Sequence, residues 1–464
     1  MAAPGDGRQE LAADSVFAAR RAGVLLHVAS LPGDSPIGTL GAEARRFIDW
    51  LADAGFSIWQ MLPINPGDSP YHSVSTHAGD PRLLDPQSDD PGTGAEYENF
   101  CKAQAYWLDE YALFTALSES LGGRVWRNWP AALRDREPAA LERVRRTHAV
   151  AIEQARQAQY RFAIQWGSLR AYARERGVLL FGDLPVFVSL DSVDVWAHRD
   201  YFKLEADGRP RVVSGVPPDY FSADGQRWGN PLYDWEQLAC DRFGWWVDRV
   251  ATQLARFDVL RIDHFRGLQA SWEIPADSPT AKDGRWVDVP GRALFRVIRA
   301  RCGSGRVVAE DLGTITPEVL ALRDEFGIPG MLVLQFGFDE APGNPYLPHR
   351  HAAHAVVYTG THDNDTTVGW WRGADRCTRR RVCDYFDREQ PVMPDLLIRA
   401  CYASVARFAV VPMQDLLGLD SEARMNTPGT TGANWNWRFR WNELPPGLAA
   451  EQRRLLAIYE RLNR

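Results

Sequence analysis

The chain has 464 residues, of which 45% are hydrophobic and 24% are charged, so a disordered or low-complexity protein is excluded. Its 53 Lys and Arg against 60 Asp and Glu give a net charge of -7, which argues against nucleic-acid binding, because that needs a basic surface. No apolar run approaches the roughly 18 residues of a membrane helix, and the N-terminal segment lacks the apolar core of a signal peptide. A cytoplasmic protein is therefore expected.

Eight short apolar runs have the near-continuous hydrophobic character of buried parallel strands. In chain order they are 23–28, 58–63, 179–185, 259–265, 307–312, 331–338, 355–363 and 408–415. Helical patterns follow several of them, namely 41–54, 317–326 and 446–463. Eight alternating units predict an α/β protein with a closed (β/α)8 TIM barrel. Only 49 residues follow 415, too few for a separate C-terminal β-sandwich of about 100 residues.

Two connections between the predicted strands are long enough to hold structure of their own. Residues 64–178 contain aromatic residues at helical spacing and a second helical pattern at about 139–176, so a mostly helical insertion subdomain is predicted. Residues 186–258 are rich in Pro, Gly, Asp and Tyr, and a loop-rich insertion is predicted there. Residues 339–354 contain three prolines, so one barrel helix is expected to be missing. The whole chain, 1–464, is treated as one catalytic barrel with insertions.

Acidic residues stand at the ends of five predicted strands, where barrel enzymes place their catalytic groups. They are Asp183, Asp263, Glu310, Asp363 and Asp415. One such acid could simply cap the next helix, but five like charges at one barrel mouth are costly to bury without a function. Arg261 precedes Asp263 by two residues, points to the same side of its strand, and keeps that carboxylate ionised. The pattern predicts a catalytic centre at the barrel mouth.

Several other chemistries are poorly supported. The loops after the seventh and eighth strands lack the glycines of a phosphate site, and GxGxxG is absent. The DND segment at 363–365 lacks the Gly of a calcium loop, and the six cysteines form no CxxC pair. We therefore predict no metal and no cofactor, and the sequence indicates no obligatory protein partner.

Glycosidic-bond chemistry fits the carboxylates best, because it needs a nucleophile, a proton donor and an oxocarbenium-like transition state between them. Asp263 is the predicted nucleophile, since Arg261 keeps it charged. Glu310 has no neighbouring cation in the sequence, which suits a raised pKa and a proton donor. Asp363 is predicted to hold sugar hydroxyls as the ring flattens.

Long sequence blocks resemble the 4-α-glucanotransferases, also called amylomaltases, of the α-amylase clan. RIDHFRGLQASWEIP, AEDLGTITPEV and YTGTHDNDTTVGWW contain the three predicted catalytic residues, and the matching blocks extend from about residue 23 to 441. The resemblance implies Asp263 as nucleophile, Glu310 as acid/base and Asp363 as transition-state stabiliser, with Arg261 and His362 as close support. It implies transfer of an α-1,4-glucan segment to the 4-hydroxyl of an acceptor glucan or glucose, with retention, through a glycosyl-Asp intermediate. An amylase-like hydrolase with the same carboxylates is the alternative.

The same resemblance implies further substrate contacts. Asp183, in GDLP, corresponds to the acid that binds the sugar at the cleavage point, and Tyr71, in DSPYHS, to an aromatic sugar platform. Asp219 and Trp228 belong to a loop of the second insertion that covers the cleft in this family, and Asn434 and Trp435, in GANWNW, to the cleft wall.

The chain departs from the family pattern near the predicted platform. The segment 65–71 is shorter than the usual Gly- and Tyr-rich loop. Typical members carry an amide and an aromatic residue where this chain has His72 and His77. These differences fall on acceptor-side sugar contacts and leave the chemistry unchanged.

Overall fold

The computed structural model describes residues 15–89, 91–218, 224–339, 341–430 and 432–463. Its centre is a sheet of eight parallel strands in the order β5-β4-β3-β2-β1-β8-β7-β6. The strands are β1 (Arg21–Leu25), β2 (Ile58–Gln60), β3 (Leu179–Leu184), β4 (Val259–Ile262), β5 (Val307–Ala309), β6 (Gly330–Val333), β7 (Ala355–Tyr358) and β8 (Phe408–Pro412). The backbone N–H of Ala309 donates to the Pro329 carbonyl at 2.9 Å and links the two edges of the sheet. The predicted (β/α)8 barrel is therefore present.

The strands are apolar on both faces because both faces are buried. Successive residues of a strand point to opposite sides. Leu25 of β1 packs inside the barrel with Val259, Val308 and Val356, whereas its neighbour Val24 belongs to the layer between strands and helices. This two-sided burial explains why the strands are recognisable in the sequence as continuous hydrophobic runs.

Helices surround the barrel and fill its long connections. They are α1 (Ala42–Asp53), α2 (Ala95–Ser120), α3 (Ala131–Arg134), α4 (Pro138–Thr147), α5 (Ala149–Glu175), α6 (Val193–Ala197), α7 (Trp235–Cys240), α8 (Gly244–Arg256), α9 (Gly291–Cys302), α10 (Pro317–Glu325), α11 (Thr367–Gly373), α12 (Arg376–Phe386), α13 (Asp395–Ala403), α14 (Met413–Leu416) and α15 (Leu448–Ile458). None of the described helices is both long enough and apolar enough to cross a membrane.

The first insertion is built on the packing of α2 against α5. Trp107 and Phe114 of α2, and Phe162 and Trp166 of α5, are buried in the main core. One continuous helix at 139–176 is predicted from the sequence, and this is wrong at His148. There the backbone leaves helical geometry (φ -114°, ψ 23°), which separates α4 from α5.

The second insertion contains more helix than its composition predicts. Two of its strands, Val212–Val216 and Gln226–Pro231, join Ala270–Pro275 and Arg285–Asp288 in a four-stranded antiparallel sheet. The loop-rich prediction for 186–258 is wrong for residues 235–256, which form α7 and α8. In α8, Trp246, Val250 and Leu254 recur at four-residue spacing and are buried. The preceding segment is rich in Gly, Pro and Asp, so the composition of the whole insertion predicts loops despite this amphipathic pattern.

Two further sequence predictions, a missing barrel helix and the absence of a C-terminal β-sandwich, agree with the structure. Among residues 341–354 there is only a short 3-10 turn, Pro348–Arg350, so the barrel helix between β6 and β7 is missing as expected. No strand follows β8 in the described residues, so the structure contains no C-terminal β-sandwich there.

Candidate active site

A buried arginine joins two of the predicted carboxylates. Nη1 of Arg261, on β4, donates to Asp183 Oδ2 at 2.6 Å, and Nη2 donates to Asp263 Oδ1 at 2.8 Å. The side chains of Arg261 and Asp183 are 4% and 1% exposed, whereas that of Asp263 is 27% exposed. Asp263 therefore reaches the opening while one of its oxygens is held by a buried guanidinium group.

Glu310 is fixed to the turn that carries Asp263. It follows β5, and its backbone N–H donates to the Ile262 carbonyl at 3.0 Å. Its carboxyl oxygens accept hydrogen bonds from the backbone N–H of His264 at 2.7 Å and of Leu312 at 3.0 Å. His264, which donates the first of these bonds, lies in the left-handed region, with φ 46° and ψ 51°. Desolvation raises the pKa of Glu310 to about 8, so the carboxyl is mostly protonated at neutral pH.

Tyr71 connects the buried network to the opposite side of the site. Its hydroxyl donates to Asp183 Oδ2 at 2.6 Å and lies 2.8 Å from His362 Nε2. Its ring stacks on His362, with centroids 5.4 Å apart and an interplanar angle of 15°. Burial and the neighbouring Asp183 raise the pKa of Tyr71 well above its usual value, so the phenol stays neutral.

Asp363 is held by two loops rather than by a strand. β7 ends at Tyr358, five residues earlier, so the predicted strand 355–363 is too long. Asp363 Oδ1 accepts a hydrogen bond from Asn426 Nδ2 at 2.6 Å, and Oδ2 lies 3.4 Å from His362 Nε2. Asn426 is absent from the sequence-based site. It lies in the matching block MNTPGT, but the sequence does not show that this block meets THDND.

Trp228 lies next to the catalytic turn. It is part of the strand Gln226–Pro231, and its ring contacts that of His264 edge to face at 4.7 Å. The side chain is 39% exposed, so part of the indole faces solvent. Asp219, predicted in the same cleft-covering segment, lies outside the described residues.

Asn434 is engaged within its own loop. Its Oδ1 accepts from the Thr427 backbone N–H at 3.0 Å, and its Nδ2 donates to the Thr430 carbonyl at 3.1 Å. The next residue, Trp435, has a φ of 69°, and its ring lies 5.7 Å from Tyr71. Of the two predicted wall residues, Asn434 thus shapes the loop and Trp435 contacts the site.

Asp415 does not belong to the group of carboxylates at the mouth, contrary to the sequence-based expectation. It is 1% exposed, and its oxygens accept from the Thr359 hydroxyl at 2.6 Å and from the Thr367 N–H and hydroxyl at 2.7 Å. These bonds tie α14, which directly follows β8, to Thr359 after β7 and to the start of α11. Strand-end position alone could not distinguish this structural acid from the catalytic ones.

The barrel and the carboxylates at its mouth have the architecture of an enzyme that acts on glycosidic bonds. A 4-alpha-glucanotransferase family model matches residues 26–91 and 87–444. The chain is 45% identical to the 4-alpha-glucanotransferase of Thermus thermophilus, over 96% of this chain and 99% of that protein. It is 40% identical to the 4-alpha-glucanotransferase of Synechocystis sp., over 95% and 98%. The chain belongs to the 4-alpha-glucanotransferase family and is an enzyme of that type.

A solved structure agrees with this assignment. Amylomaltase from Streptococcus agalactiae in complex with acarbose superimposes with a TM-score of 0.91 at 34% identity, covering 96% of this chain and 100% of that one. The resemblance, fold class and enzyme type predicted from the sequence are therefore confirmed.

Proposed function

We propose that the enzyme transfers a segment of an α-1,4-glucan to the 4-hydroxyl of an acceptor glucan or glucose, with retention at the anomeric carbon. The observation that carries this proposal is the arrangement of two carboxyl groups on adjoining strand ends: Asp263 is held by Arg261 at 2.8 Å, and burial raises the pKa of Glu310. One carboxyl group as nucleophile and a second as proton donor are what a retaining double displacement requires.

In the first step, Asp263 attacks the anomeric carbon while Glu310 gives its proton to the leaving glycosidic oxygen. The bond to the leaving glucan breaks, and a glycosyl ester forms on Asp263. In the second step, the Glu310 carboxylate takes the proton of the acceptor 4-hydroxyl. The acceptor oxygen then attacks the anomeric carbon and releases Asp263. Two inversions give net retention.

The surrounding residues would hold the sugar at the cleavage point. Asp183 Oδ1 is buried and has no hydrogen-bond partner among the described residues, so it is available for a sugar hydroxyl. Asp363 and His362 converge from the other side and would bind hydroxyls more tightly as the ring flattens. Tyr71 would offer its remaining ring face as a platform.

The insertions would shape the acceptor side. Trp228, beside His264, supports a covering role for the segment 186–258, to which Asp219 also belongs, and Asn434 would support the facing wall through its loop. Residues 64–178 are proposed as a helical subdomain. Hydrolysis by the same carboxylates is the competing function, because water can replace the acceptor after the first step.

The chemistry proposed needs no metal or cofactor, because the carboxylates supply both the nucleophile and the proton. Among the described residues, no group of three or more His, Cys, Asp or Glu is arranged to hold a metal ion. Full activity in excess chelator is expected, and loss on chelation with recovery on adding calcium would contradict it. The six free thiols support a cytoplasmic location, which fractionation of the source cells would test.

Product analysis from maltotriose tests the function. Transfer produces glucose together with a ladder of oligosaccharides longer than the substrate, and this is the expected result. Only shorter products would assign the enzyme as a hydrolase instead.

A further inference from the structure

A second cleft lies between the helical insertion and α6–α8. Its volume is about 230 Å³, somewhat below the roughly 300–1,000 Å³ of sites that enclose a whole ligand, so this open cleft could hold part of a longer one. The residues that line it come from α2, the 75–77 segment and the region 193–248, and they include none of the groups assigned to catalysis. The proposed reaction therefore leaves this cleft without a role.

Aromatic rings from two parts of the chain line the cleft. They are Tyr106 and Trp107 of α2, and Tyr201 and Trp245 of the second insertion. The side chain of His77 holds the first pair in place, since its ring stacks on Trp107 at 14° and meets Tyr106 at 88°. Tyr106 is 49% exposed although its ring is fixed, so a ligand can stack there at little entropic cost.

Carboxylate side chains contribute hydrogen-bond acceptors to the cleft. Glu110 and Asp248 are paired with Arg136 at 2.8 Å and Arg301 at 2.6 Å, and neither arginine lines the cleft. Asp241 accepts a hydrogen bond from the Tyr201 hydroxyl at 2.9 Å. Two of these carboxylates are thus paired with arginines, and their remaining lone pairs, like those of Asp241, can accept hydrogen bonds from neutral hydroxyl groups.

We infer that this cleft is a second binding site for α-glucan, a conclusion that rests on the proposed function. Fixed aromatic faces flanked by hydrogen-bond acceptors match a ligand of alternating apolar sugar faces and hydroxyl rims. The region of His77, where the chain departs from its family, contributes one of the contacts that fix these rings.

The cleft is close enough to the active site for one long glucan molecule to reach both. Tyr71 reaches the catalytic network, and His77 lines the second cleft. Six residues of extended chain span at most about 22 Å. A long glucan bound in the second cleft thus keeps its other segments at a high effective concentration near Asp263. A short donor such as maltotriose gains nothing from this.

Binding is tested by titrating maltoheptaose into the full-length Asp263→Asn variant, with and without Tyr106→Ala plus Asp241→Ala. We expect two sites per chain in the first protein and one in the second. Tyr385→Ala, at an exposed tyrosine on α12, is the matched control and should keep both sites. A single site in the parent protein, or two sites in the Tyr106/Asp241 variant, would overturn the inference.

Kinetics give an independent readout in the otherwise wild-type enzyme. The Tyr106→Ala/Asp241→Ala variant should show a KM for glycogen raised by about tenfold, while kcat/KM for maltotriose changes less than twofold. Tyr106→Phe keeps the ring and loses only the hydrogen bond to Thr252, so it should bind glycogen normally even if the alanine variant folds poorly. Equal losses on both substrates in a folded variant would contradict the second site. Absence of maltotriose disproportionation by the wild-type enzyme would instead contradict the proposed function.

Discussion

The two halves of the barrel mouth hold their carboxylates in different ways. On the β3–β5 side, Asp263 and Glu310 follow their strands directly and are fixed by Arg261 and by backbone N–H groups. On the β7–β8 side, Asp363 lies beyond its strand, and its side chain is 45% exposed. It is positioned by Asn426, a residue 63 positions away on another loop.

The two halves therefore have different roles: the β3–β5 side holds the nucleophile and the acid, and the β7–β8 side positions Asp363. In the first half, an ion pair with Arg261 holds the nucleophile, and burial raises the pKa of Glu310, before any substrate binds. The second half depends on where two loops meet, and loops move more easily than strand ends. Substitutions of the two β3–β5 carboxylates should therefore abolish the reaction, whereas substitutions of residues that only support the site should alter its rate or its choice of acceptor.

The largest effect is expected from Asp263→Asn. Without the nucleophile no glycosyl ester can form, and disproportionation of maltotriose should fall by about 10⁴-fold or more. Asp384→Asn, at an exposed aspartate on α12, is the control and should retain normal activity. Mass spectrometry of the denatured enzyme after mixing with an activated donor should show a covalent adduct only when Asp263 is present. An adduct in the Asn variant would place the nucleophile elsewhere.

Glu310→Gln should be the next most damaging change, with an expected loss of about 10²- to 10⁴-fold on maltotriose. A glycosyl fluoride has a leaving group that needs no proton, so formation of the glycosyl ester from it should be far less affected. The comparison requires pre-steady-state release of fluoride by both proteins. Equal loss on the two donors would remove Glu310 from the role of acid.

The raised pKa of Glu310 also predicts a pH dependence. The protonated carboxyl is the active form in the first step, so kcat/KM for maltotriose should be level below about 8 and fall about tenfold per pH unit above it. The sign follows from desolvation, which favours the neutral form and moves the loss of the proton to higher pH. Glu310→Gln should lack this alkaline limb. If the limb persists in that variant, another group causes it.

The site residues on the β3–β5 side could be predicted from the sequence because they lie in recognisable strands or directly after them. Hydrophobic runs locate the strands, and Asp263, Arg261 and Glu310 follow from position and two-residue spacing. The sequence was insufficient where contacts are made between distant loops. Asp415 occupies the same kind of position as Asp263 yet bonds to two threonines, and Asn426 becomes part of the site only through tertiary packing. Such pairings leave no periodic signal.

Asn426 tests the positioning side. Asn426→Ala removes the hydrogen bond to Asp363 and should lower kcat by about tenfold, since one lost bond to a charged group is worth about 1.5 kcal/mol or more. Asn426→Asp places a second carboxylate against the first and should cost more at neutral pH, with partial recovery on acidification. Thr430→Ala, in the same segment, is the control. If both Asn426 variants keep full activity, Asp363 does not depend on this loop contact.

The smallest effect is expected at Trp228, because this residue should influence which acceptor wins rather than whether the glycosyl ester forms. Its ring packs against His264, which in turn follows the nucleophile, so it covers the β3–β5 side of the site. Water is far more abundant than any acceptor sugar, and transfer prevails only if the bound acceptor has a large effective concentration at the intermediate. Trp228→Ala should uncover this position and reduce sugar stacking, which lowers the ratio of transfer to hydrolysis by a few-fold while donor consumption changes little. The measurement is the ratio of longer oligosaccharides to total reducing ends formed from maltotriose, with Tyr385→Ala as the exposed-aromatic control. Equal decline of transfer and hydrolysis would mean that Trp228 only supports His264, and acceptor selection would then have to reside on the β7–β8 side.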